Sequence, residues 1–385
     1  MWKVANRAGR RAHWALALVA VIPAPRAVVE TGAGFELRAG AVVEFAGGHE
    51  AGQVAGQFAA RLRAHPGIAL TVAARDDELP ATGTHLRFDL QPQSGIPAEG
   101  YRLVVAPDAV TLTASDVAGL RHGAVSLWQL AATAPTAGGA TGTTVTLIRL
   151  PGLRVDDAPE FRWRGLMLDS ARHYQSPAFI ERFLDWMALH KLNVLHWHLT
   201  DDQAWRLEIK RYPRLTEVGA WRVPAGRAAQ RDLDPATGRP RLHGGFYKQD
   251  TVRRLVRYAA DRGITIVPEI EMPGHATAAV AAYPELGLGT VAPGAVPADW
   301  GIYPNLFNVE ESTFAFLEDV LREVMDLFPG TYVHVGGDEA VKDQWRASPR
   351  VQARMRELGL RDEAALQGYF VQRIGRFLEA NGRRL

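Results

Sequence analysis

The 385 residues are 47% hydrophobic and 22% charged, enough apolar material for a large buried core and for more than one domain. Basic (44) and acidic (42) residues nearly balance at a net charge of +2, with no long run of either sign, which argues against a nucleic-acid or other polyanion-binding surface. Cysteine is absent, which excludes disulfides, thiolate catalysis and cysteine-ligated zinc.

The chain opens with Lys3, Arg7, Arg10 and Arg11, then an apolar run from Trp14 to Ile22. This pattern suits a signal segment over residues 1–20 better than a stable membrane span, so export to the periplasm or medium is the expectation. Cytoplasmic residence stays open, because Val21-Ile22-Pro23-Ala24-Pro25 reads equally as the first strand of a folded domain. An α+β domain is expected over residues 21–157. Within it, alternating apolar and polar residues around Pro107-Asp108-Ala109 predict a hairpin from Tyr101 to Thr113. Behind Asp116 as a cap, Val117, Leu120, Ala124, Leu127 and Trp128 recur at helical spacing. A Thr/Gly/Ala-rich stretch at 133–144, then Pro151-Gly152 and Asp156-Asp157-Ala158-Pro159, marks the boundary region.

Residues 158–385 have another rhythm. Strands are expected at 163–169, 193–199, 264–270 and 331–335, with helices at about 176–190, 250–261, 312–327 and 363–381. Nearly continuous apolar strands alternating with helices predict parallel β/α units. A barrel is favoured over an open sheet, because each strand ends in ionisable residues: Asp169, Arg172 and His173; Asp201 and Asp202; Glu269, Glu271 and His275; Asp338 and Glu339. The C-terminal strand ends of a β/α barrel converge on one mouth, which would bring these residues into a single site.

The chemistry of such a site is narrowed by residue type. His196, His198, His275 and His334 could supply metal ligands, but no His-Glu-x-x-His helix or carboxylate cage is present, and no metal or other cofactor is expected. Gly336-Gly337 precedes carboxylates rather than a lysine-bearing helix start, which argues against a phosphate loop. Glycoside hydrolysis fits carboxylates at a barrel mouth. An ordinary retaining enzyme needs two carboxyl groups about 5 Å apart across the bond, whereas chain neighbours such as Asp338 and Glu339 diverge. A nucleophile from elsewhere is therefore required. Asp201 and Glu271 are the candidates within the chain.

Four ordered stretches, DSARHY (169–174), NVLHWHLTDDQAWR (193–206), PEIEMPGH (268–275) and VHVGGDE (333–339), closely resemble glycoside hydrolase family 20, the β-N-acetylhexosaminidases. The resemblance implies a (β/α)8 TIM barrel preceded by a small α+β domain. It also implies a substrate-assisted mechanism, in which the 2-acetamido oxygen of the sugar attacks the anomeric carbon and gives an oxazolinium with retention. By that resemblance Glu339 is the acid/base and Asp338 holds the acetamido nitrogen. Arg172 grips hydroxyls of the terminal sugar, Asp201 and His275 form a pair behind the acid, and His198 and Asp202 lie nearby in support. Asp169, Glu269 and Glu271 brace the barrel. Trp163, Trp197, Trp205 and Trp345 are read as core packing, with sugar platforms as the alternative.

The implied partner is an oligosaccharide or glycoconjugate ending in β-linked N-acetylglucosamine or N-acetylgalactosamine, and the choice between them stays open. One departure matters: four β/α units lead only to the start of a fifth strand at Arg383-Arg384-Leu385, about half a barrel. The expectation is a fragment of a longer protein or a barrel completed by another chain. The alternative is an inactive product that binds sugar or a partner.

Overall fold

The structure, a computed structural model, describes residues 21–75, 77, 85–138, 145–227, 231–289 and 295–385. The proposed signal segment at 1–20 lies outside them. Two compact units divide the chain: residues up to Trp163 with Ala188–Lys191, and Arg164–Met187 with Leu192–Leu385. No helix among the described residues is long and apolar enough to cross a membrane.

The first unit runs β1 (Ala27–Arg38), β2 (Val42–Ala46), α1 (Gly48–Ala64), β3 (Thr71–Ala74), β4 (His85–Leu90), β5 (Tyr101–Val105), β6 (Ala109–Ala114), α2 (Val117–Thr133), β7 (Thr136–Gly138) and β8 (Val145–Asp157). Its strands form one mixed sheet in the order β1-β8-β5-β6-β4-β2-β3, with β7 beside β8. The expected hairpin is β5–β6, antiparallel from Tyr101↔Ala114 to Val105↔Val110. The helices bury stripes at helical spacing, Val54, Phe58 and Leu62 from α1 and Leu120, Ala124, Leu127 and Leu130 from α2, in one core with Phe35, Val43, Phe88, Leu103 and Val155. Asp116 caps α2: its Oδ1 accepts from Gly119 N at 2.7 Å and its Oδ2 from Glu99 N at 2.7 Å. Pro151-Gly152, read as a breaker, lies inside β8, where the pairing with β1 shifts register around Gly32.

The second unit begins with β9 (Gly165–Asp169), α3 (Pro177–Leu189) and β10 (Val194–His198). Short elements follow: β11 (Thr200–Asp201), β12 (Ala204–Trp205), α4 (Arg214–Glu217), β13 (Trp221–Arg222) and β14 (His243–Gly244). The β/α pattern resumes with α5 (Gln249–Ala260), β15 (Thr265–Glu269), α6 (Thr277–Ala282), α7 (Glu311–Leu327), α8 (Asp343–Ala347), α9 (Pro349–Glu357) and α10 (Glu363–Ala380). β9, β10 and β15 are parallel neighbours in chain order. The expected fourth strand is bridged rather than fully laddered. Glu269 pairs with His334, and the bonds Ile270 N→His334 O (3.0 Å) and Met272 N→Val335 O (3.0 Å) join it to β15. Positive φ at Gly336 and Gly337 ends this segment at the turn. Tyr332 bridges Arg384 in the same parallel sense, so the order continues to a fifth position.

One side chain fastens the stretch between β10 and α5. Arg206, fully buried, donates from Nε to Ser170 O (2.9 Å), from Nη1 to Ala220 O (2.8 Å) and Gly245 O (2.9 Å), and from Nη2 to Ala171 O (2.9 Å). Burial and neighbouring Arg222 lower its pKa to about 10, so it stays charged at neutral pH. Replacing it by Met would strip these buried carbonyls of their donor, at about 1–3 kcal/mol for each group left unsatisfied. Asp116→Ala should cost only about 1 kcal/mol, as a lost helix cap does. Denaturant unfolding of the two variants is expected to rank Arg206→Met well below Asp116→Ala. Equal midpoints would show that water replaces the guanidinium without penalty.

Candidate active site

The strand register builds the site. Asp169 on β9 pairs with His198 on β10, His198 pairs with Glu269 on β15, and Glu269 bridges His334, so a row of ionisable residues crosses four adjacent segments at their C-terminal edge. Parallel partners point to the same side of the sheet, which makes these side chains neighbours.

Glu269 sits at the centre of the row. His196 Nε2 lies 2.7 Å from its Oε2, His334 Nδ1 lies 2.8 Å from its Oε1, and His198 Nδ1 also bonds Oε2. Burial alone would raise this carboxyl, but the three imidazoles hold it far below the usual range. On the other side of His198, Nε2 meets Asp201 Oδ2 at 2.9 Å. Burial pushes the His198 imidazole down, but its bonds to Asp201 and Glu269 outweigh this and raise it to about 10.

Asp201 gathers the remaining groups. Its Oδ2 also takes Arg172 Nη2 at 2.6 Å, and its Oδ1 takes Asp202 N at 2.6 Å and faces His275 Nδ1 at 3.3 Å. Against burial, the bonds from His198 and His275 and the Arg172 charge lower it to about 2. His275 Nδ1 has a second carboxylate, Asp202 Oδ2, at the shorter distance of 3.0 Å. The expected Asp201–His275 pair is thus a shared contact with Asp202 as the nearer partner. Asp202 is itself fixed by Thr277, whose N donates to Oδ1 at 3.1 Å and whose hydroxyl donates to the same atom. The two aspartates raise His275 to about 11. Its Nε2 points at Glu339 Oε2, 3.6 Å away.

Asp338 and Glu339 are exposed at the edge of the sheet. They follow a turn with φ +62° at Gly336 and +99° at Gly337, and Glu339 itself has φ +47°. The turn is located from beneath. Glu271 is buried, and a Cβ on Gly336 would lie 1.6 Å from its Oε2. That oxygen has no hydrogen-bond partner in the protein. Burial first, then the Glu269 charge, push Glu271 up to about 8, so it is a neutral acid below that pH. Neither sequence candidate for a protein nucleophile stands free: Asp201 is saturated with donors, and Glu271 is sealed under the turn.

Arg172 completes the site. Its N and Nη1 reach Asp169 Oδ1 (3.0 Å) and Oδ2 (3.2 Å), its Nε donates to Gln203 Oε1 (3.0 Å), and its guanidinium lies 4.9 Å from the ring centroid of Trp300. Three of its five guanidinium N–H groups are thus committed, which leaves one on Nη1 and one on Nη2 for a ligand. Trp197, Trp205 and Trp345 are core residues, and Trp163 is exposed. Trp300, 81% exposed, was not singled out in the sequence, because nothing local ties residue 300 to residue 172. Ligand atoms within 4.8 Å of one another, able to hold a cation, occur in His196/Glu269/His334, His198/Asp201/Glu271, Asp201/Asp202/His275 and His275/Asp338/Glu339 among the described residues.

The catalytic-domain model of glycosyl hydrolase family 20 matches residues 161–385, and the model of domain 2 of that family matches residues 18–158. The chain belongs to glycosyl hydrolase family 20. A β-hexosaminidase of Porphyromonas gingivalis is 38% identical over 368 residues, covering 95% of this chain and 44% of that protein. One from Vibrio furnissii is 37% identical over 287 residues, 74% of this chain and 44% of its own length. The solved family 20 exo-β-N-acetylglucosaminidase of Vibrio harveyi in complex with N-acetylglucosamine superposes with a TM-score of 0.79 at 30% identity, over 95% of this chain and 54% of that one. The chain spans about half the length of these relatives, and its parallel strands are a partial family 20 TIM barrel.

Two outcomes follow for the turn and its support. Gly336→Ala should lower the melting temperature of the second unit sharply, and adding Glu271→Ala should recover much of the loss, because the clashing carboxyl is gone. The pH dependence has a sign. Glu271 binds its proton more tightly in the folded state (about 8) than unfolded, so stability falls as pH rises from about 4.5 to 8. His275 adds a fall from about 6.5 to 11 by the same rule. Glu271→Gln, neutral at every pH, should flatten the first slope in melting curves taken from pH 5 to 8, and an unchanged slope would refute a buried neutral acid.

Proposed function

We propose that this chain carries the acid/base half of a β-N-acetylhexosaminidase that removes terminal non-reducing β-linked N-acetylglucosamine or N-acetylgalactosamine. The observation that carries the reading is the exposed Asp338–Glu339 pair with the raised His275 imidazole 3.6 Å from Glu339. Glu339 gives its proton to the glycosidic oxygen as the bond to the anomeric carbon breaks, and the substrate's acetamido oxygen forms the new bond to that carbon. Asp338 accepts a hydrogen bond from the acetamido N–H and balances the positive charge of the oxazolinium. Glu339, now a carboxylate, takes a proton from water as water opens the ring with net retention. Imidazolium at His275 stabilises that carboxylate, and Asp201 and Asp202 hold the ring in place. Among the described residues, Asp201 is engaged by donors and Glu271 is buried under the turn, which supports the substrate as nucleophile. Export is part of the proposal and rests on the basic and apolar opening of the chain.

A second reading, sugar or partner binding without hydrolysis, is favoured by one observation: the Glu339 side chain is 48% exposed, whereas an acid tuned for proton donation is usually desolvated. Hydrolysis of a chromogenic β-N-acetylglucosaminide decides between them. Turnover is expected, with Glu339→Gln lowering kcat by about 10²- to 10⁴-fold, the usual contribution of a general acid/base. Sugar binding without turnover would establish the second reading for this chain.

A further inference from the structure

Trp300 has no structural reason for its position. A ring left 81% exposed forgoes most of the burial that makes tryptophan useful in a fold, yet its segment is built into place. Arg222 Nη1 donates to Ala298 O (3.0 Å), Gln203 Nε2 to Asp299 O (3.4 Å), Gly226 N to Asp299 Oδ1 (3.2 Å) and Tyr303 OH to Asp299 O (3.0 Å). Gln203 also holds Arg172 Nε, and Arg222 Nη2 donates to Arg172 O at 2.8 Å. The same two side chains therefore hold Arg172, Gln203 at its guanidinium and Arg222 at its main-chain carbonyl, and also the segment that lays the indole over it.

The order of groups gives the site a direction. From Glu339 the contacts run to His275 (3.6 Å), to Asp201 (3.3 Å) and to Arg172 (2.6 Å), and Trp300 lies beyond Arg172. A hexosamine whose leaving oxygen meets Glu339 then turns its outer hydroxyls toward Arg172. Resting on the hexosaminidase reading, we propose that Trp300 is a substrate-contacting wall on the non-reducing side of the terminal sugar, where it sets the choice between C4 epimers. An aromatic face favours the flat side of a sugar with axial C–H groups, and with the Arg172 guanidinium over one face of the indole the other face is left for the sugar. The gluco epimer, with its equatorial 4-hydroxyl, presents that face. On the face that carries H2 and H4, the one we place against Trp300, the axial hydroxyl of the galacto epimer replaces an axial C–H and interrupts it.

The test is binding, which does not require turnover. Methyl β-N-acetylglucosaminide and methyl β-N-acetylgalactosaminide are titrated into the full chain by calorimetry, with indole N–H signals followed by NMR and Trp300 assigned from Trp300→Phe. Wild type should favour the gluco epimer, and its Trp300 signal should move with the same dissociation constant as calorimetry gives. Trp300→Ala should weaken gluco binding by about tenfold or more and bring the two epimers within about threefold, while Trp300→Phe keeps the preference. An equal loss for both epimers would mean a merely structural role and overturn the proposal. So would a Trp300 signal that stays still while other resonances saturate, and in that case sugar binding lost in Arg172→Ala would leave the hexosaminidase reading standing. Binding of neither sugar by wild type would overturn both.

Discussion

Asp201 is the carboxylate on which the second unit's polar edge depends. It is buried, and an isolated buried carboxylate is costly enough to protonate instead. It stays ionised because Arg172, His198, His275 and the Asp202 amide all direct N–H groups at its two oxygens. Removing it would take from Arg172, His198 and His275 the one carboxylate they share, leaving them to Asp169, Glu269 and Asp202 respectively. The charges along this edge therefore form a single unit in which the loss of one group is felt by residues that do not touch it.

That unit explains how Glu339 can stand at the exposed end of the array and still face a fixed partner. His275 is held by two aspartates on one nitrogen and offers the other to Glu339, so its orientation is set before any ligand arrives. From below, Glu271 fixes the height of the turn by occupying the volume of an absent Gly336 side chain. The side-chain positioning comes from β10 and the segments after β15, while the turn carries the Asp338 and Glu339 carboxylates. Under the proposed function the adjacent Asp338 and Glu339 serve different parts of one substrate, and neither has to oppose the other.

Much of this was legible in the sequence because it follows from local periodicity. The helices α3, α5, α7 and α10 and the strands β9, β10 and β15 fall within a residue or two of the apolar pattern, and Asp116 announced the start of α2. Ionisable residues at strand ends could be read as one mouth once the parallel order was inferred. Register was not readable, and with it went the fact that Asp169, His198, Glu269 and His334 form a row. The nearer carboxylate of His275 was missed because two neighbouring aspartates look alike in a string, whereas Thr277 decides which is pinned. Trp300 and Arg206 act across 128 and up to 39 residues of sequence, through contacts that leave no periodic trace.

Arg206 has a mechanical consequence. One rigid, planar group holds the backbone after β9, the start of β13 and the residue after β14 through main-chain carbonyls alone. These three segments cannot shift independently, since any relative movement breaks bonds that no side-chain rotation can restore. They behave as one stiff plate behind Arg172. The segment from Ala298 to Tyr303 is tied to that plate through the buried side chains of Gln203 and Arg222. Arg222 bonds both Arg172 O and Ala298 O from within that plate, so the floor of the site and its rim are displaced together.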